Sequence, residues 1–126
     1  MSPEQAVGAP VGPAADRWAL AALALEFLTG LRPYAAQSTA ARMLLTILER
    51  SPRKPRELGL GGAEIERFFR RALARDPGRR PDSAACLVDE LGRALHTAFR
   101  VDVRNDDPAA RVETQRVRGQ SLRPAA

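Results

Sequence analysis

Groups able to do covalent or metal chemistry are scarce in this sequence. Cys86 and His96 are its single cysteine and single histidine. One cysteine excludes an intramolecular disulfide framework, a CxxC redox motif and a thiolate cage for zinc, and one histidine excludes a His-rich metal site. Cys86 stands beside Leu87 in an apolar-periodic run, where an ordinary structural thiol is the plainer reading. His96 falls near the expected C-terminus of a helix, where the dipole favours its cationic form and a structural role is the plainer one. Asp106 and Asp107 are adjacent carboxylates in a stretch with nothing rigid to orient them for metal or acid/base work. Gly59, Gly61 and Gly62 form GLGG, without the spacing or the preceding strand of a phosphate loop. No catalytic, cofactor-binding or metal-binding residue is therefore expected.

Arginine offers a different chemistry. Arg67, Arg71 and Arg75 recur at i, i+4, i+8, a cationic ridge that could meet phosphates together with Arg53, Lys54 and Arg56. The net charge is +5, and the whole excess lies in residues 50–80, with 10 basic residues against 4 acidic ones. Lys54 is the only lysine among the 20 basic residues. This arginine and alanine bias runs along the chain, so GC-rich coding explains it more plainly than selection for phosphate. Glu64 precedes Arg67 by three residues and Glu66 precedes Arg70 by four, the favourable order for helical ion pairs. Phe68 and Phe69 belong to an apolar face and do not interleave with the arginines. A solvated charged face is favoured over a nucleic-acid site.

The elements that carry these residues read as helices. Residues 5–15 are Gly/Pro-rich and aperiodic, an expected loop. Asp16 is the expected N-cap of a helix to Thr29, ended by Gly30. Leu20, Leu23, Leu25, Phe27 and Leu28 leave it hardly any polar face, which predicts a buried central helix. A second helix, capped by Ser38 or Thr39, runs through Arg50, with Met43, Leu44, Ile47 and Leu48 on one stripe. A third covers about Ala63 to Arg75, with Ile65, Phe68, Phe69, Ala72 and Leu73 as its core face. Asp76-Pro77-Gly78 turns the chain. A fourth helix, capped by Asp82, runs to about Phe99 and contains Gly92, which needs a packing reason or marks a weak point. Residues 100–126 are polar and poor in large apolar groups, and are expected to form a disordered tail. The fold class is all-α.

With 126 residues the chain is one domain, and 23 of its apolar residues are alanine, so the packed unit is expected within residues 1–99. Its most apolar stretch, Trp18 to Thr29, is well short of the roughly 20 residues that cross a bilayer. The first residues have neither the basic nor the apolar region of a secretory signal. A soluble, cytoplasmic protein is expected.

Four segments then carry a resemblance. Met1-Ser2-Pro3-Glu4-Gln5 resembles the end of the activation segment of bacterial eukaryotic-type (Hanks-type) Ser/Thr protein kinases, the APE motif in its form MSPEQ. Asp16-Arg17-Trp18-Ala19-Leu20 resembles the start of kinase helix F, and LEFLTGLRPY its end and following loop. RRALARDPGRRP, with Asp76, Pro77, Arg80 and Pro81, is similar to the segment between helices H and I. Together the motifs stand in family order over residues 1–95.

The resemblance implies the rear part of a kinase C-lobe, about four helices corresponding to helices F to I. It implies that Glu4 and Arg80 form a buried pair tying the activation segment to the lobe. Asp16 would accept backbone N–H groups of the catalytic loop, with Pro3, Trp18, Asp76 and Pro77 as structural motif residues and residues 5–15 beside the protein substrate. Ala21 stands where the family usually has glycine. The family is a transferase that uses ATP and magnesium. Its Gly-rich loop, strand lysine and HRD and DFG motifs lie upstream of APE, so the chain as it stands is expected to bind neither ATP nor magnesium and to be inactive. A truncated gene or a misplaced start would explain this. The partners implied are a protein substrate and the missing kinase portion. With those absent, the 17–29 helix is expected to expose an apolar surface able to drive self-association or pairing with another kinase. Binding of nucleic acid is the remaining, less favoured alternative.

Overall fold

Two prolines and a capping threonine set where the first three helices begin. The computed structural model describes residues 1–105, with side-chain surroundings described as far as Arg100. Helix α1 spans Pro3–Ala6, α2 Pro13–Thr29, α3 Ala40–Glu49, α4 Ala63–Ala72 and α5 Ala84–Asn105. Short 3₁₀ turns at Pro55–Leu58 and Pro77–Arg79 join α3 to α4 and α4 to α5. Every regular element among the described residues is helical, with no strand.

Several boundaries differ from the sequence reading. Residues 5–15 are not one loop: α1 takes Pro3–Ala6, and α2 starts at Pro13. Proline at the first helical position has no N–H to lose and a preset φ, so Pro13 starts α2 with Gly12 as N-cap. Asp16 therefore lies within the first turn rather than at the cap. At α3 Thr39 is the cap, its hydroxyl accepting from the Arg42 N–H at 3.2 Å. At α5 the capping oxygen is that of Ser83, which accepts from the Cys86 N–H at 3.0 Å, and not that of Asp82. Helix α5 also runs past Phe99 to Asn105, since neither glycine nor proline interrupts the chain between Arg93 and Asp107. The remainder of the expected tail, with Asp106 and Asp107, lies outside the described residues.

The core gathers Trp18, Ala21 and Leu25 of α2, Ile47 of α3, Ile65, Phe68, Phe69 and Ala72 of α4, and Leu87 and Ala94 of α5. Helix α4 packs chiefly on α5, and α2 touches both. The core face of α4 is the one its periodicity marks. Phe68 and Phe69 meet edge to face at 4.9 Å between ring centroids. Trp18 stacks on Tyr34 with centroids 6.4 Å apart. Gly30 closes α2 in the left-handed region at φ 74°, and its N–H returns to the Glu26 carbonyl.

Helix α2 is not buried all round. Leu25 is fully buried, yet Leu23 is 63% and Phe27 89% exposed on the opposite side. Gly92 has no packing reason among the described residues: a methyl group there would meet none of their atoms within 4 Å. Gly92→Ala is accordingly expected to stabilise the fold by about 0.5–1 kcal/mol. A thermal melt with no gain would contradict that placement.

Candidate functional site

A buried cation needs a counter-charge and a full set of acceptors, and Arg80 has both. Its side chain is 0% exposed and that of Glu4 10%. Nη1 donates to Glu4 Oε1 at 2.6 Å and Nη2 to Glu4 Oε2 at 2.8 Å, a two-pronged pair between residues 76 apart in the chain. Nε donates to the Ala74 carbonyl at 2.9 Å, Nη1 also to that of Ala14 at 2.8 Å, and Nη2 to that of Arg75 at 3.3 Å. Arg80 thus ties α1, the first turn of α2 and the end of α4 together. The hydrogen bond from Arg80 holds the Glu4 carboxyl below its ordinary range, against a smaller opposing effect of burial.

Local chemistry presents Glu4. Pro3 is buried and starts α1. Ser2, fully buried, donates its N–H to Gln5 Oε1 at 2.8 Å and its hydroxyl to the same oxygen at 3.0 Å. At the other end, Asp76 Oδ1 accepts from the Gly78 N–H at 2.9 Å, and Pro77 starts the 3₁₀ turn that delivers Arg80. Pro3, Glu4, Asp76, Pro77 and Arg80 therefore converge on one corner. Asp16 does not join them. It is exposed on α2, while Trp18 two residues on is buried and its indole N–H has no hydrogen-bond partner among the described residues.

The arginine ridge on α4 is divided. Arg67 pairs with Glu64 at 3.2 Å and Arg71 with Glu90 at 2.7 Å. Arg75 turns onto the last carbonyls of α3, donating to Leu48, to Ile47 at 3.4 Å and to Arg50 at 3.3 Å. A cation on helix-terminal carbonyls is a C-cap interaction that the i, i+4, i+8 spacing could not reveal. Arg75→Ala is expected to cost about 1 kcal/mol of stability, whereas Arg67→Ala, at an exposed pair, costs about 0.5 kcal/mol or less. Equal denaturation midpoints for the two variants would contradict this. Glu66 does not pair with Arg70; it accepts the Arg56 N–H at 2.8 Å.

Neither nucleophile candidate is set for catalysis. The Cys86 thiol donates to Glu90 Oε1 at 3.3 Å, and that carboxylate pushes its pKa up, disfavouring the thiolate. His96 is exposed in the middle of α5, since the helix continues to Asn105, so the helix-end dipole argument does not apply to it. Among the described residues no group of histidine, cysteine and carboxylate side chains is placed to hold a metal ion, and no helix is long and apolar enough to cross a membrane.

No family model matches the chain. Curated relatives do. The serine/threonine-protein kinase Pkn1 of Myxococcus xanthus is 33% identical over 108 residues, 86% of this chain and 16% of the kinase. The serine/threonine-protein kinase drp72 of Corynebacterium efficiens is 33% identical over 108 residues, 86% of this chain and 19% of its own length. PknA of Corynebacterium glutamicum is 34% identical over 83 residues, 65% of this chain and 17% of its own. The chain spans less than a fifth of the relatives it matches. All-helical architecture, the ordered motifs and these matches agree, and the chain is a relative of the bacterial serine/threonine protein kinases over a segment of their helical C-lobe.

Proposed function

We propose that these residues form the structural base of a Ser/Thr kinase C-lobe, whose full-length activity is ATP-dependent phosphoryl transfer to protein serine or threonine. One observation carries this reading: the buried two-pronged Glu4–Arg80 pair, which fixes the MSPEQ segment against the turn between α4 and α5. A segment held so firmly is a suitable floor for an extended protein substrate, which residues 5–15 would flank. Asp16 is exposed and its carboxylate accepts no hydrogen bond among the described residues, in keeping with a partner backbone donated by kinase residues outside these 126. The exposed side of α2, with Leu20, Leu23 and Phe27, is the apolar counterpart of that contact.

Nothing in the 126 residues supplies the lysine, catalytic-loop or magnesium-binding groups of phosphoryl transfer. The folded 126-residue chain is therefore inactive by itself in this reading. Incubated with Mg-ATP and a generic protein substrate, it is expected to give neither saturable nucleotide binding nor transfer of label. Saturable binding or transfer would overturn the assignment of these residues to structural roles. A second reading, self-association through α2, follows from the exposure of Leu23 and Phe27.

A further inference from the structure

Between the 50–56 loop and α4 lies a cleft of about 490 Å³. That is within the range of roughly 300–1,000 Å³ typical of small-ligand sites. Its walls carry Arg50, Arg53, Lys54, Arg56, Arg70 and Arg75, against Glu66 as the one acid among the described lining residues. The Glu66 carboxylate is already engaged, one oxygen accepting the Arg56 N–H. The ion pairs among the described residues are Arg32–Glu26, Arg67–Glu64, Arg71–Glu90 and Arg80–Glu4, and none draws on a cation of this cleft. Six cations, of which Arg75 is held on the α3 carbonyls, face the single Glu66 carboxylate among the described lining residues, and this excess of positive charge is unfavourable unless something anionic neutralises it.

The loop is held by its backbone, which leaves its side chains uncommitted. The Arg53 N–H donates to the Pro33 carbonyl at 2.8 Å, and the Lys54 N–H to Glu57 Oε2 at 2.8 Å. Pro52 and Pro55 stiffen the intervening chain. The floor is apolar: Tyr34, Phe69 and Leu73, all buried. The site therefore offers guanidinium forks at the rim and apolar contact below. Guanidinium forks match the oxygens of a phosphate, and an apolar floor suits a side chain next to it. A nucleic acid fits less well, because the aromatic lining residues Tyr34 and Phe69 are buried and present no open ring face for base stacking.

We infer that this cleft binds a phosphorylated serine or threonine side chain carried on an extended peptide with apolar neighbours. The inference does not depend on the kinase reading; it rests on the cleft's excess of cations over acids and its apolar floor.

The test uses the full 126-residue chain and a labelled peptide Ala-Leu-pSer-Leu-Ala, followed by fluorescence anisotropy. Binding is expected to be about tenfold or more tighter than for the unphosphorylated peptide, as a charge-assisted contact predicts. It should also exceed that of the Glu-substituted peptide and of inorganic phosphate used as competitor. Arg53→Ser/Lys54→Ser should weaken it about tenfold, with far-UV circular dichroism unchanged, because neither side chain holds a hydrogen bond among the described residues. Should that pair alter the helicity, Arg70→Ser on the exposed face of α4 tests the same rim and should weaken binding as well. Arg67→Ser, whose guanidinium lies in a different cleft, should leave binding unchanged. Equal binding of the unphosphorylated peptide, equal competition by inorganic phosphate, or an equal loss in Arg67→Ser would each overturn the proposal. So would full-strength binding by folded Arg53→Ser/Lys54→Ser.

Discussion

Glu4→Ala is expected to destabilise the fold by about 3–5 kcal/mol, the cost of leaving a buried guanidinium without its counter-charge. Small domains are stable by only about 5–15 kcal/mol, so the loss approaches the whole margin. The effect should be seen as a collapse of the denaturation midpoint and loss of cooperativity. A double variant, Glu4→Leu/Arg80→Met, should recover part of it, because removing both charges spares the desolvation of one alone. A Glu4→Ala protein as stable as the parent would show that the pair at 2.6 and 2.8 Å contributes no net stability. The pH dependence carries the same signature. The folded Glu4 carboxyl titrates below its ordinary 4.5, so its contribution is present above that value and is lost as pH falls through the lower folded value. In Glu4→Ala that part of the acid limb should disappear.

The second large effect separates two residues one turn-fraction apart on α2. Leu25→Asp places a carboxylate at a fully buried position and is expected to cost about 4 kcal/mol or more. Phe27→Asp changes a side chain that is 89% exposed and should cost little, while abolishing association through that face. Sedimentation velocity should show the parent chain in concentration-dependent oligomers and Phe27→Asp as a monomer. A parent that stays monomeric at high concentration would contradict the role given to this face.

Those two residues also show what the sequence could and could not convey. Helix α4 announces its core face, because Ile65, Phe68, Phe69 and Ala72 recur at helical spacing between charged residues. Helix α2 is apolar on every side, so periodicity cannot tell the buried Leu25 from the exposed Leu23 and Phe27. A boundary is legible where one residue dominates, as Gly30 does, and is narrowed to neighbours where Ser38 and Thr39 compete and Thr39 takes the cap. Others are misread where two candidates compete, Pro13 against Asp16 and Ser83 against Asp82. The destination of Arg75 depends on where α3 ends in space, and nothing in its helical spacing points there. Glu4 and Arg80 are 76 residues apart, and only the family resemblance paired them. The cleft lined by Arg50, Arg53 and Arg70 was visible only as an excess of charge over residues 50–80, since its concavity comes from the loop folding back on α4.

The most direct measurement is a segment exchange. A segment of this chain beginning at Met1 would replace its counterpart in the Pkn1 kinase of Myxococcus xanthus, which is 33% identical over 108 residues, and transfer of label from Mg-ATP would be followed. A segment that serves as the base of a kinase C-lobe predicts a folded chimera that transfers phosphate, with activity lost in the Glu4→Ala version. A chimera that folds yet transfers nothing, or one indifferent to Glu4, would contradict it.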